Sequence, residues 1–336
     1  MAFTANLLIF FNDIITQMKS YVKYIIRMIT RRTVIKRSIS MRDLIRLSKK
    51  QAKKKQGEVK VSVVIPNYNY EKFLMPRLYS ILNQTEKLYE IILLDDKSSD
   101  GSRALIDEFI YNVKDYINVS KIYNEENTGC AFKQWERGFK LAKGDYVWIA
   151  EADDCCSKYL LKNILKPIKE NKDIYISYAD TAFINEWDKI FLKTIKHEID
   201  LRKTGHWDKN FINLGKDEIN TYCFLNCTIA NVSSCVIKND NYNEIFTKIT
   251  EYRQAGDWLF YANVMDRGYI SYIDKPLNYY RVHGNNITST MKKQKHLDEI
   301  KRIHKEMYSL TKITNWHDEE FKKRYDFLEE VWGLRK

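Results

Sequence analysis

The chain has 336 residues, 44% of them apolar, enough for a sizeable core as one large domain or two modest ones. Its formal net charge of +12 is confined to one end: residues 1–57 carry 14 Lys and Arg against only Asp13 and Asp43, so the remainder is neutral. A neutral body argues against nucleic acid as its partner. Cys130, Cys155, Cys156, Cys223, Cys227 and Cys235 form no CxxC pair and have no histidines at zinc spacing, so they read as reduced thiols of a cytosolic compartment. The longest early apolar run, Leu7–Phe11, is too short to span a bilayer and lacks the flanks of a signal peptide.

Residues 5–29 have a helical period, with Leu7, Phe11, Ile14, Met18, Val22, Ile25 and Ile29 at steps of three and four. Lys19, Lys23, Arg27 and Arg31 form a basic row on another side. Such a helix either lies on an anionic lipid surface or packs onto the body or a sister subunit. From Arg31 to Lys55 the sequence stays basic and loses apolar width, and Lys53–Gly57 reads as a linker. The body then begins with a β-branched run, Val61–Ile65, closed by Pro66. A helix over 71–83 follows, then strand Glu90–Leu94, helix 102–112, strand Val119–Tyr123, helix 131–142 and strand Tyr146–Ala150. This alternation predicts a mostly parallel sheet covered by helices. Strands are also expected at Tyr175–Tyr178, Val232–Ile237, Tyr269–Ile273 and Leu277–Val282, the last two broken around Pro276, with a helix over Gly256–Met265. Two charged amphipathic helices follow Met291.

Ligands of open α/β sheets bind beyond the carboxyl ends of the strands. Three of these ends carry Asn67-Tyr68-Asn69, Asp95-Asp96 and Asp153-Asp154. Acids at such a place suit a divalent cation bridging phosphate oxygens, or serve only as a helix cap. Neither GxGxxG nor a Walker A pattern occurs, which disfavours dinucleotide and P-loop chemistry.

Val-Ser-Val-Val-Ile-Pro-Asn-Tyr-Asn at 61–69, Glu-Ile-Ile-Leu-Leu-Asp-Asp-Lys-Ser-Ser-Asp-Gly-Ser at 90–102, Ala-Lys-Gly-Asp-Tyr at 142–146 and Glu-Ala-Asp-Asp at 151–154 together resemble a family 2 glycosyltransferase of the bacterial surface-polysaccharide type. Ala-Gly-Asp-Trp-Leu-Phe at 255–260 is similar to the segment holding that family's base, and Tyr-Tyr-Arg-Val-His at 279–283 to its late histidine segment. The resemblance covers about residues 60–290 and implies an α/β fold: a GT-A-type, mostly parallel sheet flanked by helices, with a helical N-terminal extension and a helical C-terminal tail. The expected division is 1–57 extension, 58–290 catalytic domain (58–155 nucleotide-binding half, 156–290 acceptor half) and 291–336 tail.

The resemblance also implies roles. Asp257 is the expected general base, taking the acceptor hydroxyl's proton in a single displacement that inverts the anomeric carbon. Pro66, Tyr68 and Asp96 are expected at the nucleobase, Lys133 at the diphosphate, and Asp153 at the donor and metal. The chain has Glu-x-Asp-Asp where the family has Asp-x-Asp; Asp154 is favoured as the metal ligand, then Asp153, with His283 as a further ligand. The cofactor expected is Mn²⁺ or Mg²⁺. The partners expected are a UDP- or dTDP-sugar donor, a glycan or lipid-linked acceptor and an anionic membrane met through residues 1–57, with a homo-oligomer open and no nucleic acid. The implied location is cytoplasmic, peripheral at the inner face of the cytoplasmic membrane. A nucleotidyltransferase and a non-catalytic sugar-binding subunit of the same fold remain alternatives.

Overall fold

The computed structural model describes residues 38–284 and 293–334. The apolar stripe and basic row of residues 5–29 lie outside these.

The first described helix, α1 (Met41–Ala52), falls in the stretch that reads as lacking an apolar face. Ser40 starts it with a capping box: its hydroxyl accepts from the Asp43 N–H, and the Asp43 carboxylate accepts from the Ser40 N–H at 3.0 Å. Leu44 and Leu47 are buried, and the Gln51 amide donates to the carbonyls of Leu82 and Gln84, each at 3.0 Å. Two leucines and one glutamine make too narrow a stripe to show as a period, yet they dock the helix on the body. Its other side, Arg42, Arg46, Lys49, Lys50 and Lys53, faces solvent.

The body alternates β1 (Val61–Asn67), α2 (Glu71–Leu82), β2 (Glu90–Asp95), α3 (Ser102–Val113), β3 (Val119–Tyr123), α4 (Ala131–Leu141) and β4 (Tyr146–Ile149). β3, β2, β1 and β4 pair in parallel, as the alternation predicts. Successive side chains of β1 and β2 point to opposite faces. Val61, Val63, Ile65, Ile91 and Leu93 pack with α1, α2 and α3, whereas Val64, Ile92 and Leu94 pack with α4. Pro66 sits inside β1, where a missing N–H would ordinarily break a ladder. It does not here: β1 turns Val64 toward β4, the Ala150 N–H closes that ladder on the Val64 carbonyl, and Pro66 lies one step beyond.

The second half is mixed. β5 (Cys155–Cys156) and α5 (Leu160–Glu170) precede the long β6 (Ile174–Ile184) and its edge partner β7 (Ile190–Leu192). The short α6 (Lys196–Ile199), β8 (Phe211–Leu214) and α7 (Gly215–Glu218) lead to β9 (Cys235–Lys238), α8 (Asn243–Ile249), α9 (Gly256–Met265) and β10 (Tyr269–Arg281). The sheet order is β3-β2-β1-β4-β9-β6-β10-β5, with β7 on β6 and β8 on β10. The expected break at Pro276 is instead a pair of register shifts inside one strand, β10 against β6. Residues 232–234 form a 3₁₀ turn rather than the start of a strand. The tail forms α10 (Lys293–Leu310) and α11 (Asn315–Val331); Leu297, Ile300, Ile303 and Met307 of α10 join the core beneath α9.

Candidate active site

β1, β2 and β4 run parallel, so their carboxyl ends open onto one edge of the sheet. The loops after β1 and β2 are stitched together there. Asn67 Nδ2 donates to Asp95 at 2.8 Å, and the Asn69 carbonyl oxygen of the side chain accepts from the Ser99 N–H at 2.7 Å. Asn69 and Lys97 adopt φ of 58° and 63°, and Asn is among the few residues that tolerate this. Asp95 is buried; burial pushes its carboxyl up, but donors from Ser98, Arg103 and Asn67 outweigh this and hold it below the usual range. Asp95 is thus a structural hub.

Asp96 is equally engaged. One oxygen accepts from Asn124 Nδ2 at 2.6 Å and Gln134 Nε2 at 3.0 Å, the other from Thr128 Oγ1 at 2.8 Å, and both accept from the Thr128 N–H. The carboxylate therefore organises the 124–130 loop. Tyr68, 46% exposed, stands beside it on the open edge, while Pro66 is buried within the strand. Lys133 is exposed on the first turn of α4, and its neighbour Gln134 turns inward to Asp96.

The turn after β4 holds the acids. Asp154 is fully buried, one oxygen accepting from Asn231 Nδ2 and the other from the Arg281 N–H, both at 3.0 Å. Burial and then Asp153 push it up to about 6. Asp153 instead meets His283 Nε2 at 3.0 Å through Oδ2. His283 packs against Phe73 and Tyr70, with ring centroids 5.1 and 5.6 Å away. Glu151 accepts from Trp135 Nε1 at 2.9 Å, and burial together with Asp153 pushes it up to about 8. Beneath the acids lies the wholly buried Arg77, its guanidinium over the Trp148 ring and without a hydrogen-bond partner among the described residues. Its charge opposes the upward push on Asp154 and Glu151.

Asp257 stands in the first turn of α9, partly accessible, with Oδ1 accepting from the Trp258 N–H at 2.8 Å. Crowding by apolar neighbours pushes it up to about 7, against the backbone N–H groups that favour the charged form. Its neighbour Gly256 lies so close to Phe132 that a Cβ there would fall 2.7 Å from the ring. Phe132 packs edge-on against Trp135, which holds Glu151. This chain of contacts joins the turn of Asp257 to the acidic turn after β4.

Residues 62–230, half of the chain, match the family described as Glycosyl transferase family 2. The chain belongs to this family. Glycosyltransferase GlyG of Streptococcus pneumoniae serotype 4 is 30% identical over 160 residues, 45% of this chain and 52% of that protein. The poly(ribitol-phosphate) beta-N-acetylglucosaminyltransferase TarP of Staphylococcus aureus is 32% identical over 114 residues, 33% of this chain and 34% of that protein. The chain thus spans about half the length of the first and a third of the second. A glycosyltransferase of Haemophilus influenzae, itself uncharacterized, is 28% identical over 258 residues, 75% of each chain. Among solved structures, residues 1–349 of S. aureus TarS in complex with UDP-GlcNAc superpose with a TM-score of 0.59 at 19% identity, covering 79% of this chain and 72% of that one. At that identity the likeness establishes the fold, a GT-A-type sheet.

Within this family 2 fold, sequence reasoning missed several residues: Asn124, Thr128 and Gln134 around Asp96, Asn231 and Arg281 around Asp154, and Trp135 on Glu151. Polar residues without charge give no motif of their own, so only their placement reveals them. One signal was available: Phe132, Trp135 and Phe139 at steps of three and four mark the inward face of α4, which Gln134 shares and the exposed Lys133 does not.

Proposed function

We propose that the protein transfers a sugar from a nucleotide-sugar donor to a hydroxyl of a glycan or lipid-linked acceptor, inverting the anomeric carbon. The observation that carries this reading is Asp257: a partly accessible carboxyl at about 7, in a separate turn from the acids after β4. A general base works best with its pKa near the working pH, and it must sit on the acceptor side of the sugar. One such base and one leaving diphosphate make a single displacement.

The fit of a divalent cation rests on Asp153 and His283, whose Oδ2 and Nε2 are 3.0 Å apart. Among the described residues no three His, Cys, Asp or Glu side chains cluster as a closed metal cage. Mg²⁺ and Mn²⁺ at nucleotide sites need no such cage, since substrate phosphates and water complete their shell. Asp153 and His283 would hold the ion; when bound it supplies charge stabilisation for the departing diphosphate. Asp154, its oxygens already occupied, positions the turn and the Arg281 backbone. Tyr68 offers a ring for the nucleobase, Asp96 fixes the loop that flanks it, and Lys133 lies at the start of α4 for the diphosphate. A UDP-sugar is the favoured donor, in keeping with the ligand of the TarS complex.

The enzyme acts at the cytoplasmic face of a membrane. No helix among the described residues is long and apolar enough to cross one. The solvent-facing Arg42, Arg46, Lys49, Lys50 and Lys53 of α1 continue the positive charge of residues 1–37 and suit anionic headgroups. The experiment is transfer from a panel of UDP- and dTDP-sugars with Mn²⁺, the product's anomeric configuration read by NMR. Inversion supports the reading; retention, or release of a nucleoside monophosphate, contradicts it.

A further inference from the structure

The turn that carries Asp257 is not held by the catalytic sheet alone. Glu299, from α10 in the tail, is buried and inserts its carboxylate under residues 253–255. Oε1 accepts from the Arg253 N–H at 2.7 Å, and Oε2 accepts from the Gln254 and Ala255 N–H groups, each at 3.0 Å. These three donors point along the segment that runs into α9, and Ala255 is two residues from Asp257. Without Glu299 all three would lose this acceptor, and the buried Ala255 N–H would be left unpaired.

The same face of α10 also grips the residues just before this segment. Arg302 lies over the Tyr252 ring at 4.3 Å and pairs with Glu251 at 3.1 Å, and Glu306 pairs with Lys248 at 3.1 Å. The Arg253 side chain then reaches across to the Gly129 carbonyl at 2.7 Å, next to the Thr128 that Asp96 holds. A continuous set of contacts therefore links the tail to the turn of Asp257 and on to the loop beside the donor strand ends.

We propose that Glu299 is the positioning residue for Asp257: its carboxylate clamps the backbone of 253–255 and so fixes where the first turn of α9 presents the base. The inference rests on the reading of Asp257 as that base. The other titratable groups facing Asp257 are Cys227 and Tyr261, both kept neutral by burial, while His304, against Trp258, is pushed down to about 3 and is neutral too. Burial is the main cause that raises Asp257, and the Glu299 carboxylate adds a smaller push in the same direction.

Two substitutions separate clamp from charge. Glu299→Gln removes the charge and one acceptor, so Asp257 should titrate at lower pH, read by carboxyl-¹³C NMR, and the acid limb of the transfer profile should move with it. Glu299→Asp keeps the charge and shortens the arm, so Asp257 should titrate nearly as in the wild type while transfer falls about tenfold or more. In both, calorimetric affinity for UDP with Mn²⁺ should stay within about twofold of the wild type. The proposal is overturned if both variants titrate and transfer as the wild type does, or if UDP affinity falls in step with transfer. Asp257→Asn is measured alongside: retained transfer there sinks the base assignment, while the NMR titration still reports whether Glu299 faces Asp257.

Discussion

Burial raises the carboxyls of Asp154, Asp257 and Glu151 to about 6, 7 and 8, against about 4 in an unfolded chain. The folded state therefore binds protons that the unfolded state has released across that window. Stability contributed by these groups falls as pH rises from about 4 to about 8. Asp257→Asn mimics the neutral carboxyl and keeps an acceptor for the Trp258 N–H. It should melt close to the wild type at pH 4 and above it at pH 8; a lower melting temperature at pH 8 would show that the charged form is the stabilised one. Catalysis follows the opposite sign, because a base must be deprotonated. Transfer should rise through about pH 7 and level off above it. At this scale the sequence named the acids but not their orientation. Asp153 and Asp154 are adjacent, and what separates them is Asn231 and Arg281, contributed by residues far along the chain. Lys133 was legible as a charge, whereas the inward neighbour Gln134 carries no charge to mark it.

Among the elements, β1, β2 and β4 were readable because parallel strands buried on both faces appear as largely apolar runs. β10 was not, because a proline in mid-run signals a break and only the facing β6 shows that two register shifts absorb it. α1 was hidden by its lysines. Its Leu44 and Leu47 are each worth about 1.5–3 kcal/mol of burial. A chain beginning at Glu58 should therefore melt several degrees below one beginning at Ser38, and equal melting temperatures would show that α1 is only loosely attached. The membrane role belongs to this scale too. Full-length protein should float with anionic liposomes less well as salt rises, and the chain from Ser38 should bind more weakly still. Undiminished flotation of a chain from Glu58 would remove residues 1–57 from the account.

Across the whole molecule, the carboxyl ends of β1, β2 and β4 open onto one edge of the sheet, with acids after β2 and β4, and the proposed function gives the donor to that edge and the acceptor to Asp257 of α9. The family was legible from ordered motifs, each weak alone. The contribution of the tail was not, since Glu299 lies beyond the matched residues 62–230 and acts through backbone contacts that leave no pattern. The division of labour predicts that Asp153→Ala with Asp154→Ala loses Mn²⁺-dependent UDP binding in calorimetry, and unchanged affinity would reduce those acids to a structural turn. The most direct measurement is the transfer rate of Asp257→Asn at saturating donor, beside its UDP affinity. The account predicts a fall of about 10²–10⁴-fold with donor binding kept; transfer within about tenfold of the wild type would contradict it.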